Sequence, residues 1–259
     1  MRLSFLQNLQ KTPVQLPQNN KSDERESEIK NCLQAVFDPE LDESIIDLNF
    51  VSNIYIEASE VVRIELRLPT YFCSANFAWI MCYDSKIAVE RLPWVNSVHI
   101  RLVDHFVMNK VNNGLRNDQS FSEIFGTEKE VNFLELRRKF EEKAFLNRQS
   151  MLIQFLRTKH LSDSQILKMS LKNLEVLVEK YQNSEFNKNF KRYHELRERL
   201  LSKKTDSLAF LELDGGCIQE NNVLEYLRIL RRTTGSITAN SEMCKMLMAE
   251  RYSAGGQIN

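Results

Sequence analysis

The chain is 259 residues long, with 35 basic and 35 acidic side chains and a net charge of zero. At roughly 150 residues per domain this allows one or two domains, and the balanced charge argues against a protein that coats nucleic acid. Hydrophobic residues at 42% exclude wholesale disorder, and 7 glycines, where average usage gives about 18, favour helices over a many-turned β-sandwich.

The first residues, MRLSFLQNLQ, hold no sustained apolar run and no small-residue cleavage site, so no signal peptide is expected. The uncharged run between Arg67 and Asp84 has 16 residues, including a proline, a serine and an asparagine, too short and polar to span a bilayer. Five cysteines, Cys32, Cys73, Cys82, Cys217 and Cys244, are odd in number and form no CxxC pair. A disulfide scaffold and a zinc ribbon are both disfavoured. The chain reads as a cytoplasmic protein with reduced thiols and no membrane partner.

Residues 1–21 are polar and carry two prolines, as a loose arm would. From Ser22, Ile29, Cys32, Leu33 and Val36 share a helical face, and Pro39 bars helix at Asp38. Val51 to Glu57 and Val61 to Leu68 alternate as strands, with Ala58-Ser59-Glu60 as a hairpin link. Asn76 to Arg91 reads as a helix closed by Pro93, and Val95 to Val103 as a third strand. Beyond about residue 128 the strand signal fades. Phe133, Leu136, Phe140, Ala144, Met151 and Phe155 recur at helical spacing. Ser162 and Gln165 form a capping box, with Leu161 and Ile166 placed as a hydrophobic staple. Phe186, Phe190, Tyr193 and Leu200 mark another helix, and Leu208 to Leu213 is a short apolar run closed by Gly215-Gly216. Val223 to Arg232 reads as a helix stopped near Gly235, with a last one over Ser241 to Tyr252. The fold class is α+β: a small helix-strand-strand-helix-strand domain over 22–127, then a mainly helical domain over 128–259. The join is expected near 118–130.

Charge divides the chain in the same way. Residues 1–127 hold 12 basic and 17 acidic side chains, whereas 128–204 hold 18 and 11. The middle helices therefore present either a solvated basic surface or a docking face for an acidic partner. Nucleic acid ranks behind both, since no aromatic-interleaved basic groove accompanies the charge.

The segment Leu68-Pro69-Thr70-Tyr71-Phe72-Cys73-Ser74-Ala75-Asn76 carries the most chemistry. It sets Cys73 between a strand end and a helix start, where the helix dipole and unpaired N–H groups favour thiolate. Position alone is equally compatible with a small buried hydrophobe. Asp38, Glu40, Asp42 and Glu43 crowd one turn; a hard cation site is conceivable on composition, but solvated acids are the ordinary outcome. His105 ends the third strand, within reach of Cys73 as a second ligand or a base, or as plain rim. Cys32, Cys82 and Cys244 fall on apolar helical faces and are expected in the core, and Cys217 follows a double glycine at the surface. No P-loop, GxGxxG, HExxH or GxSxG occurs.

The stretch DPELDESIIDLNFV (38–51), a hairpin, LPTYFC, a helix and LPWVNSVHIRLVDHF together resemble the PaaD/SufT-type family of iron–sulfur cluster assembly proteins, over about residues 22–118. That family, long a domain of unknown function, has a DPE element, a D-L-G-hydrophobic element, a threonine shortly before a reactive Cys-Pro, and a closing L-x-G-V strand. The resemblance puts the reactive cysteine on Cys73 and the threonine on Thr70. It puts the DPE acids on Asp38 and Glu40, and the second aspartate on Asp47. Ser74 stands in place of the proline, Asn49 and Trp94 in place of two glycines. The YFCSANFAWIM and DHF wording is similar to versions that accompany soluble di-iron monooxygenases.

The resemblance implies a non-catalytic maturation factor that carries iron or an iron–sulfur cluster transiently to a client metalloenzyme, iron–sulfur or di-iron. One thiolate cannot complete a cluster's ligation, which usually takes four cysteines, so binding calls for a homodimer, the client or a small thiol. Two rivals stand: an adaptor in which Cys73 is structural, and an enzyme using Cys73 with His105 as base.

Overall fold

The computed structural model describes residues 19–126, 128–201 and 208–253. The polar arm over 1–21 thus lies almost wholly outside the described residues. Helix α1 (Asn19–Leu33) leads to strands β1 (Val51–Ile56) and β2 (Val61–Arg67), helix α2 (Ala75–Val89) and strand β3 (Ser97–Val103). The sheet order is β1-β2-β3, with β1 antiparallel to β2 and β2 parallel to β3. Parallel pairing needs a long crossover, which α2 supplies. Alternation decides which face is covered: Val62, Ile64, Leu66, Val98, Ile100 and Leu102 are buried, while Arg63, His99 and Arg101 face out. The hairpin closes through Glu57 N–H to Val61 O, and Glu60 takes a left-handed φ of 60°. This is the α+β order expected from the sequence.

Helix α1 ends earlier than its apolar face suggests. Ala35 and Val36 donate to Cys32 and Leu33 carbonyls in tight i to i−3 turns, and the chain then folds back, with Asp38 N–H on Glu43 O and Ile45 N–H on Val36 O. The acids of 38–43 therefore sit in a closed loop. Asn49, where the resembling family has glycine, adopts φ 58°, a left-handed geometry that asparagine tolerates better than most residues. Ser74, where that family has proline, has φ −55° and ψ 131°, within proline's own range. Both departures keep the backbone that the replaced residues would favour.

Helices α3 (Met108–Arg116) and α4 (Phe121–Phe125) follow the sheet. Helix α4 falls in the stretch expected as a joint, α3 just before it, and neither was read from the sequence because both are short. Ser120 caps α4 in a full capping box with Glu123. Asn112 of α3 clamps the Leu102 N–H and C=O, at 2.8 and 2.9 Å, and so satisfies the outer edge of β3. The second half comprises α5 (Glu128–Thr158), α6 (Asp163–Leu167), α7 (Leu171–Tyr181), α8 (Ser184–Leu200) and α9 (Val223–Ser253). The Ser162–Gln165 capping box is present and starts α6.

Two separate apolar clusters result. One joins α1, the sheet, α2 and α3; the other gathers Phe145, Leu152 and Leu156 of α5 with Phe186 and Tyr193 of α8 and Phe210. The pair of C-terminal helices expected on either side of Gly235 is one helix, α9, of 31 residues. Gly235 shows no left-handed φ, so it does not cap, and interior glycine costs a helix only about 1 kcal/mol. Buried Leu230 and Ile237 hold the helix on both sides of it. Because α9 continues, Met248 near its end enters the first cluster, far in sequence from the rest of it.

Candidate functional site

Two loops meet beyond the C-terminal ends of β2 and β3, and a third, acidic loop is tied to helix α9, whose end reaches both. The loop after β2 carries Thr70 and Cys73, the loop after β3 carries Asp104 to Val107, and the acidic loop 38–43 follows α1. The far end of α9 lies across them. Cys73 is half-buried and stands one residue before Ser74, the N-cap of α2, whose hydroxyl makes no capping bond.

Thr70 Oγ1 lies 3.3 Å from Cys73 Sγ and accepts the Phe72 N–H at 3.2 Å. The hydroxyl can donate to the sulfur or accept from it, and either way the contact ties the thiol to the start of its own loop. His105 is buried and contacts the same loop differently from expectation. Val107 N–H donates to Nδ1 at 3.3 Å, so the proton sits on Nε2 and is donated to the Cys73 carbonyl at 2.9 Å. Both ring nitrogens are thus engaged by backbone groups, and through the Cys73 carbonyl the histidine ties the two loops together. Burial holds its pKa below the usual histidine value, which keeps this neutral tautomer. Phe106 N–H donates to Tyr71 O at 3.1 Å, completing the tie between the two loops.

The acidic loop is paired rather than solvated. Asp38 Oδ1 accepts N–H bonds from Glu40 and Leu41 at 2.8 and 2.9 Å, yet burial pushes its pKa up to about 6, with Glu40 and Glu43 adding to the rise. Asp42, buried at φ 48°, binds Arg148 Nε at 2.6 Å and Arg192 Nε at 2.8 Å. Glu40 accepts from Asn240, and Glu43 from Ser241 and Lys245. Chain cations and amides thus hold Asp42, Glu40 and Glu43 in place. Asp47 is exposed and pairs with Lys188 at 3.3 Å, outside the Cys73 loop. Among the described residues, no three His, Cys, Asp or Glu side chains are gathered as a metal site.

Several site residues escaped the sequence reading. Arg251 of α9 donates to Leu68 O and to Asp104, pinning the starts of both loops. Tyr252 donates to Asn49 O at 3.0 Å. Cys244, expected in a core, is half-buried against the first cluster, and burial, with the charges of the acidic loop adding, raises its pKa. The available signal was the spacing of Ser241, Cys244, Met248 and Arg251, which share one helical face. Around Cys73, Phe72 is 78% exposed, and its ring lies 6.2 Å from that of the exposed Phe106.

No helix among the described residues is long and apolar enough to cross a membrane. No curated protein matches the chain significantly. A family model does match part of it: residues 26–100, which hold Asp38, Glu40, Asp47, Thr70 and Cys73, match the family described as iron-sulfur cluster assembly protein.

Proposed function

We propose that this protein is an iron–sulfur maturation factor of the PaaD/SufT type, passing iron or a cluster to a client metalloenzyme through Cys73. The carrying observation is a half-buried thiol in a fixed loop, beside the Thr70 hydroxyl, inside the segment that matches the assembly family. Iron and its clusters are cargo here, and a lone thiolate ligates them too weakly for storage, which suits transfer. The exposed aromatics Tyr71, Phe72 and Phe106 surround the thiol and give a client an apolar rim. Two separate clusters support dividing the chain into an assembly unit over 22–127 and a helical client-docking unit over 128–259. The similarity in wording to versions found beside di-iron monooxygenases makes such an enzyme the first client to test.

The enzyme alternative loses its base, since both nitrogens of His105 are held by the backbone. The deciding experiment is maturation in cells. Cys73→Ser, nearly isosteric, should leave the protein folded and abolish metal loading of the client. Full client activity in cells carrying only Cys73→Ser would overturn the reading.

A further inference from the structure

A cavity of about 620 Å³, in the range of small-molecule sites, opens along the seam between the two halves of the chain. The end of α1 and the acidic loop wall it on one side and α5, α8 and α9 on the others; none of its lining residues belongs to the Cys73 loop. Its buried lining holds polar groups with bonding capacity left over. Asn147 of α5 is 5% exposed, and its carbonyl oxygen is sealed in without a hydrogen-bond partner among the described residues. An unmet buried acceptor is costly. The amide has no bond to lose by turning end over end, which presents that oxygen to the cavity. Asn189, also 5% exposed, spends its carbonyl oxygen on Arg148 and keeps its N–H donors. Arg192 gives Nε to Asp42, while its terminal nitrogens reach only Glu195, at 3.6 Å. At the rim the exposed Lys191 makes no ion pair among the described residues. Spare cationic donors call for an anion, and the lone acceptor calls for a donor beside it. Cations and carboxylates line the cavity in equal number, which favours a singly charged group over a phosphate. We propose that this cavity binds a small organic carboxylate that carries a hydroxyl or amino group, the carboxylate against Arg192 and Asn189 and the second group donating to Asn147. The site is separate from Cys73 and goes beyond its transfer reading.

Calorimetric titration of the full chain tests this with gluconate and L-glutamine. The comparison set is hexanoate and glutaramate, the same chains without the hydroxyls or the α-amine, together with inorganic phosphate. Gluconate or L-glutamine should bind with a Kd on the order of 1 mM or below and raise the melting temperature. Its bare counterpart and phosphate should bind at least about tenfold more weakly, because the Asn147 oxygen is then left unmet. Asn147→Leu, similar in shape, should weaken binding about tenfold yet leave the melting temperature of the free protein unchanged or higher, since it removes an unmet amide. Lys191→Glu, at an exposed side chain, should weaken binding roughly three- to tenfold without affecting folding. Binding by neither probe, equal binding of the bare counterpart, tighter binding of phosphate, or unchanged binding in either variant overturns the proposal. A lower melting temperature for Asn147→Leu overturns it as well, because the amide would then already be satisfied by water.

Discussion

At the scale of single residues, burial separates the cysteines by reactivity. Burial raises the thiol pKa of Cys82, Cys244 and Cys32, whereas Cys73 has a hydroxyl beside its sulfur. Cys73 should alkylate faster at neutral pH than those three, as read by mass spectrometry of timed digests. Thr70→Val removes the hydroxyl beside the sulfur, a contact worth up to about 1 kcal/mol, and should slow alkylation roughly two- to threefold. Thr70→Ser should restore the rate, and a Thr70→Val rate equal to the parent's would discount the contact. Asp38 gives a pH prediction with a definite sign. Its folded carboxyl titrates at about 6 against an ordinary 3.8, so its contribution to stability is full below 3.8 and is lost as pH rises through 6. Asp38→Asn keeps the acceptor for the Glu40 and Leu41 N–H groups without the charge. It should therefore stabilise the protein at pH 7.5 by up to about 3 kcal/mol and change little at pH 4. Urea melts at both pH values check this; equal effects at the two would show that the carboxyl is not held in its neutral form by burial.

At the scale of elements, the sheet was legible because a two-residue alternation leaves Val62, Ile64 and Leu66 nothing to do but face the core. The cysteine loop was legible through its strand–turn–helix setting. The acidic loop was misread, since composition cannot say that Arg148 and Arg192, more than 100 residues on, will come to Asp42. The break at Gly235 was misread for a different reason. Glycine is only a permissive residue, and whether it ends a helix depends on the φ it adopts in three dimensions. That gives a direct test. A Cβ at Gly235 would meet no atom within 4 Å, and its φ lies in no glycine-only region. Gly235→Ala should raise stability by about 0.5–1 kcal/mol through better helix propensity and a less flexible unfolded chain. Were the residue instead a left-handed cap, the same change would lower the melting temperature. Continuity of α9 has a consequence for the site, because it carries Cys244 to the first cluster and Arg251 to the loop that leads to Cys73. Gly235→Pro, which breaks the helix there, should expose Cys244 to alkylation while leaving the α5–α8 packing in place.

Across the whole molecule, the charge imbalance between the two halves resolves internally. The acidic surplus of 1–127 and the basic surplus of 128–204 meet in Arg137–Asp84, Arg148–Asp42, Arg192–Asp42 and Lys188–Asp47. Part of the basic face that reads as a client-docking surface is thus already occupied, and reversing Arg137 should weaken the protein itself as well as any partner. The centre of this seam is Asp42. It is 2% exposed, both arginine side chains are 12% exposed, Arg148 also donates to Asn189 Oδ1 at 2.6 Å, and the Arg192 guanidinium stacks 3.9 Å from the Phe37 ring centroid. Removing the acid shared by two buried cations leaves Arg148 without a charged partner and Arg192 with only the exposed Glu195 at 3.6 Å, which costs more than the triad contributes by its presence. Asp42→Asn keeps the side-chain shape and tolerates the left-handed φ, so backbone strain drops out of the comparison. It should destabilise the chain by about 3–5 kcal/mol, with little dependence on salt because buried pairs are poorly screened. Lys188→Ala, at the exposed pair with Asp47, should cost under about 1 kcal/mol, and less as salt rises. Substituting Arg148 and Arg192 by methionine together with Asp42→Asn should recover most of the loss, since no buried charge is then left alone. A triple variant no more stable than Asp42→Asn would place the cost in packing around Phe37 and not in the arginine charges.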